Sequence, residues 1–136
     1  MGIFSWFRRK KQVVELPHDA KQWNKMWDMW VEGEIESPYY ELMEYLNGVN
    51  NGGHCCHFDN IMGNDDLGEY VKNLESILPE PLKSNVTRAY NAFMVNPDDI
   101  SDENNDILDE CDKVYYDHEE LVNAILKDKA STIDVE

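Results

Sequence analysis

Basic side chains are scarce in this chain: 12 Lys and Arg stand against 28 Asp and Glu, a formal charge of −16. Phosphate backbones are held by cations, so this deficit excludes nucleic acid as a partner and disfavours anionic lipid for the bulk of the molecule. Cysteine is also sparse, with three residues of which two are adjacent, Cys55 and Cys56, and the third is Cys111. An odd, unspaced set makes a poor disulfide framework and fits a reducing cytoplasm. Apolar runs approaching the ~18–20 residues of a membrane span are missing. Strand-like alternation is missing too, because Asn51-Gly52, the best hairpin-turn signal, is flanked by helical periodicity. The opening, Met1 to Lys11, places its apolar residues before its basic ones, the reverse of a secretory signal. Trp6 stands where a myristoylation pattern needs Ser or Thr. The expectation is a cytoplasmic protein.

What is present is apolar enough to fold. Hydrophobic residues make up 42% and aromatics 11%, too rich for intrinsic disorder despite the charge. At 136 residues the chain holds one domain with a real core. Residues 1–11 carry four cations and no acid, leaving 8 basic and 28 acidic groups in the rest. The division predicted is a basic-apolar N-terminal arm over 1–17, an acidic helical domain over 18–130 and a C-terminal tail over 131–136.

Helical spacing recurs throughout the domain. Trp23, Met26, Trp27 and Trp30 follow i, i+3, i+4, i+7, with Asp19 placed to cap the helix and Gly33 to end it. Ser37-Pro38 opens a second helix lined by Tyr39, Leu42, Met43, Leu46 and Val49. Asn51-Gly52-Gly53 breaks the pattern, and a short helix from His54 to about Asn60 follows. Asp65 or Asp66 starts the next, carrying Leu67, Tyr70, Val71, Leu74, Ile77 and Leu78, and Leu82, Val86, Ala89, Tyr90 and Phe93 mark another. Ile107, Leu108, Cys111, Val114 and Tyr115 share a ~100° arc of a helix from about Ser101 to Tyr116. A last helix bears Leu121, Val122, Ile125 and Leu126, with Lys127 and Lys129 in its final turn. The fold class predicted is all-α, a single compact domain of six or seven short helices around an aromatic-rich core.

Most catalytic constellations find no support. His54-Cys55-Cys56-His57 places two histidines on one helix face but turns the cysteines elsewhere, and structural zinc wants four convergent ligands in spaced pairs. A structural role is the preferred reading, no metal or cofactor is expected, and a metal-dependent enzyme using His54 and His57 is the alternative of a different class. Asp102, Asn104 and Asp106 match the start of a calcium loop, but Ile107 and Lys113 stand where it needs Gly and Glu. The tryptophans are read as core rather than as a stacking surface for bases. Residues 1–11 suit a flexible leader, preferred here over contact with a membrane interface, or an arm folded over its own acidic domain.

The concentrated feature is acidic. Between Asn96 and Glu120 eleven Asp or Glu face one Lys, a formal charge of −10 over 25 residues. Asp98, Asp102, Asp106 and Glu110 recur every four residues, roughly 6 Å apart along a helix. Such a row approximates the charge of a duplex backbone. The partner-binding residues expected are Asp98, Asp99, Asp102, Asp106, Asp109 and Asp117, with Glu103 and Glu110 weaker. The competing reading is a solvated exterior.

Two segments carry a resemblance. Asn50-Asn51-Gly52-Gly53-His54-Cys55-Cys56-His57-Phe58-Asp59-Asn60 resembles the Asn-Gly-Gly-aromatic…Asn signature of a small, acidic, all-helical bacterial family of mostly unknown function that includes a DNA-mimic protein. Ile107-Leu108-Asp109-Glu110-Cys111-Asp112-Lys113-Val114-Tyr115-Tyr116 resembles that family's Leu-Asp-x-x-Asp-x-x-Tyr/Phe segment. This chain departs from the signature at His54, where the family has an aromatic, and at Cys56, where it has Gln. The resemblance would cover about residues 20–128. It implies a helical fold, a homodimer as one assembly state, no catalytic residues, and sequestration of a DNA-binding protein. A non-enzymatic protein that binds a basic protein surface is the function expected, with an immunity-type protein neutralising a basic toxin as the alternative within that class.

Overall fold

The computed structural model describes residues 16–135. The membrane contact considered for residues 1–11, and all but Leu16 and Pro17 of the N-terminal arm, lie outside the described residues. Among the described residues six helices follow in order: α1 (His18–Val31), α2 (Tyr39–Asn64), α3 (Leu67–Glu75), α4 (Leu82–Met94), α5 (Asp102–Asp117) and α6 (Glu119–Ala130). The described residues contain no strand. The all-α expectation holds.

The helix ends show which local signals acted. Asp66 accepts from the Glu69 N–H at 3.2 Å and Ser101 from the Asn104 N–H at 3.1 Å, so α3 and α5 start on true side-chain caps. Gly33 ends α1 with φ 77°, a conformation that suits glycine. Asp19 does not cap α1: Pro17 occupies the position before the helix, and the Asp19 carboxylate accepts from the adjacent Ala20 N–H instead. Nor does Ser37 cap α2, because its hydroxyl donates instead to Glu41 Oε2 at 2.8 Å.

The break expected at Asn51-Gly52-Gly53 is a kink of one residue. Gly53 has φ 78° and ψ 177°, and α2 runs helically on both sides of it. Two predicted helices are thus two limbs of one element, which is why six and seven were equally good readings of the periodicity.

Each apolar stripe is buried as its spacing requires. Tyr45, Phe58, Phe93, Leu108, Tyr115 and Leu126 form the centre of one continuous core. α4 packs along α5, α2 crosses α5, and α1 lies against α6. Trp23, Trp27 and Trp30 are half-buried on the flank of that core and meet edge to face, with centroids 6.2 and 5.4 Å apart. Residues after Ala130 continue the packing. Ile133 is buried, and Gln22 Nε2 donates to the Ser131 and Ile133 carbonyls at 3.2 and 2.9 Å.

Candidate functional site

α5 is two-sided because its apolar arc and its acids are out of phase. At ~100° per residue, Asp102, Asp106 and Asp109 fall within about 60° of one another, opposite the buried Cys111. The row expected to begin at Asp98 begins at Asp102, because Ser101 caps the helix there and leaves Asp98 and Asp99 in the preceding turn; Asp117 ends the helix. All six residues are exposed. Lys113 stands exposed on the same stripe between Asp109 and Asp117, a local interruption. Glu110 is partly neutralised, since Arg88 Nη2 on α4 lies 2.7 Å from its Oε1. Glu103 is exposed in the first turn.

Asp112 behaves differently, and the sequence reading did not single it out. Its side chain is 24% exposed and turns toward the α2 kink. Its Oδ1 accepts the His54 backbone N–H at 2.9 Å and lies 2.6 Å from His54 Nδ1. A helix restarting after Gly53 has N–H groups without intrahelical partners, and Asp112 caps the second limb of α2 from another helix. His54 is fully buried, with Nε2 2.6 Å from Tyr45 Oη. Burial drives the Tyr45 phenol well above its ordinary pKa, so it keeps its proton and donates. The Nδ1–H tautomer of His54 then satisfies every atom, donating to Asp112 and accepting from Tyr45. Tyr115 packs edge-on against Tyr45, with centroids 5.3 Å apart.

His57 is also used in packing. It is 4% exposed and places Nε2 2.6 Å from Tyr70 Oη. Burial, with His54 nearby, pushes its pKa down to about 4. Cys55 is half-buried, and burial followed by the charge of Asp59 raises its thiol pKa. Among the described residues no three His, Cys, Asp or Glu side chains are grouped to hold a metal ion.

The two segments that carry the family resemblance therefore meet in space, through Gly53-His54 on one side and Asp112 and Tyr115 on the other. One signal for Asp112 was available in the helical phase. It lies about 40° outside Leu108 at ~100° per residue, on the border of the apolar arc rather than opposite it. Comparison with protein-family models, with curated proteins and with solved structures finds no match to this chain.

Proposed function

We propose that this is a non-enzymatic, cytoplasmic interaction protein whose α5 face binds a basic protein surface, in the manner of a DNA mimic. The observation that carries the reading is the outward projection of Asp98, Asp99, Asp102, Asp106, Asp109 and Asp117 from one short stretch, all exposed. Two contacts stiffen the row: the Ser101 cap at its start and the Asp112 link to the core of α2. A preorganised surface loses less entropy on binding than a floppy one.

Each exposed charge pair contributes about 1 kcal/mol or less, so the face acts mainly through steering and salt-dependent attraction. A DNA-binding protein and a basic toxin present the same chemistry to it. The alternative of a metal-dependent enzyme at His54 and His57 would require the His54 ring, bonded through both nitrogens, to abandon one of its present hydrogen bonds.

The test is affinity capture from host lysate by wild type and by a variant carrying Asp102→Asn, Asp106→Asn and Asp109→Asn. A basic protein retained by wild type, lost by the variant, released by salt and displaced by duplex DNA supports the reading. Identical capture by both proteins refutes it.

A further inference from the structure

The kink at Gly53 folds α2 back so that its two limbs line opposite walls of one cleft of about 290 Å³. Glu44, Asn47 and Asn51 come from the first limb, and His57, Asn60 and Asn64 from the second. Within each limb these residues follow i, i+3, i+7, one helical stripe. Asp65 and Trp30 also line it, with Gly48, Gly52, Cys56 and Ile61 between, and the Trp30 indole is held by its Nε1–H donating to the Tyr40 carbonyl at 3.2 Å. The site is a consequence of the kink.

Its base is built with close tolerances. A Cβ on Gly48 would lie 1.9 Å from His57 Nδ1, so the imidazole fills the space that the glycine leaves. His57 is anchored through Nε2 to Tyr70, and its Nδ1 edge packs against Gly48, so the ring holds the two limbs in register at the base of the cleft.

The electrostatics select the ligand. Glu44 and Asp65 are the charged groups of the lining, and no Lys or Arg lines it. Neither carboxylate forms an ion pair or side-chain hydrogen bond with a described residue. Burial, then the charges of Asp65 and Glu41, push the Glu44 carboxyl pKa up. His57, neutral at pH 7, does not offset them. Four asparagines, Asn47, Asn51, Asn60 and Asn64, also line the cleft, and each carboxamide carries an oxygen acceptor.

We propose that this cleft binds a guanidinium group, as at the end of an arginine side chain. A guanidinium offers five N–H donors in one plane, enough to reach carboxylate and carboxamide oxygens on both limbs, and it stacks on an indole. An ammonium offers three donors from a point and leaves more of the acceptors unused. The group can be presented by a polypeptide or by free arginine. The proposal is independent of the α5 face, which contributes no residue to the cleft.

The experiment follows the Asn side-chain and Trp indole resonances of the full chain by NMR. It is titrated with N-acetyl-arginine methylamide, with free arginine and with N-acetyl-lysine methylamide. Saturable shifts at Asn47, Asn51, Asn60 and Asn64 with either arginine probe are expected, and the lysine probe should bind more weakly. Binding of the blocked probe identifies a polypeptide source, and binding of free arginine alone identifies the small molecule. Glu44→Gln should weaken binding about tenfold. Asn60→Ala, at an exposed position that leaves the core intact, should weaken it about threefold. The triple Asn variant of α5 should bind as wild type. Non-saturating shifts, equal affinity for the lysine probe, wild-type affinity in both cleft variants, or loss of binding in the α5 variant would each overturn the proposal.

Discussion

Gly53 and Asp112 are fitted to one another across the α2–α5 contact: a Cβ at residue 53 would lie 2.5 Å from Asp112 Oδ2. The backbone there, φ 78° and ψ 177°, belongs to a region that is essentially glycine-only. One residue thus bends α2, exposes the N–H of His54 for capping, and leaves room for the carboxylate that caps it.

Gly53→Ala should therefore destabilise the fold by about 1–3 kcal/mol from backbone strain, before any cost of displacing Asp112. Gly63→Ala is the control. Gly63 is helical, with nothing within 4 Å of an added Cβ, and the change should be neutral or stabilise by about 0.5–1 kcal/mol. Urea denaturation midpoints of the two variants should move in different directions. Equal stability of Gly53→Ala and wild type would refute the account of the kink.

Asp112 and Asp109 differ by three positions and by their whole environment. Asp112→Ala removes the cap of the second α2 limb and strands the buried His54 ring nitrogen, at a cost of about 1–3 kcal/mol. Asp109 is exposed, so Asp109→Ala should stay within about 0.5 kcal/mol of wild type. Thermal unfolding of the pair decides whether the acids of α5 divide into structural and surface groups in this way.

The buried His57 makes stability depend on pH in a defined direction. Its pKa is about 4 in the fold against an ordinary value of 6.5, so the unfolded chain binds the extra proton between those two values. Stability is complete above pH 6.5 and falls as the pH drops toward 4, by up to about 3 kcal/mol from this residue. His57→Phe, compared with wild type by chemical denaturation at several pH values, should show a shallower loss over that window. An imidazole titrating near 6.5 in the folded protein would contradict the assignment.

Glu44 carries the opposite sign. Its carboxyl is held above the usual range, so the folded state keeps a proton longer than the unfolded one, and stability from this group falls as pH rises through its folded pKa. At neutral pH Glu44→Gln should stabilise the ligand-free protein by about 0.5 kcal/mol, the scale of relieving the i, i+3 repulsion from Glu41. The gain should disappear in acid, where Glu44 is protonated in both states. A loss of stability at neutral pH would show that Glu44 has a cationic partner.

Much of this architecture was legible in order. Helix positions followed from 3.6-residue periodicity, because each stripe had to find a core, and the Ser101 and Asp66 caps acted locally. The exposure of the α5 carboxylates Asp102, Asp106 and Asp109 was legible for the same reason, since residues opposite an apolar arc have nowhere to go but solvent. Asp19 and Ser37 were misread because cap residues have competing partners within hydrogen-bond reach, and composition does not say which one is taken.

The two centres of the molecule lay beyond that reading. Whether Asp112 faces water or His54 depends on how α5 crosses α2, and a border position on a helix can serve either face. Whether Asn51-Gly52-Gly53 ends a helix or bends one depends on the cap that meets His54, which arrives from another helix. By itself the sequence determined where helices form, which faces they bury and that the exterior is acidic, because those follow from local spacing and hydrophobicity. Tertiary structure decided the angle at Gly53, the inward turn of Asp112 and the cleft between the limbs of α2, because each is set by groups distant in the chain competing for one buried space.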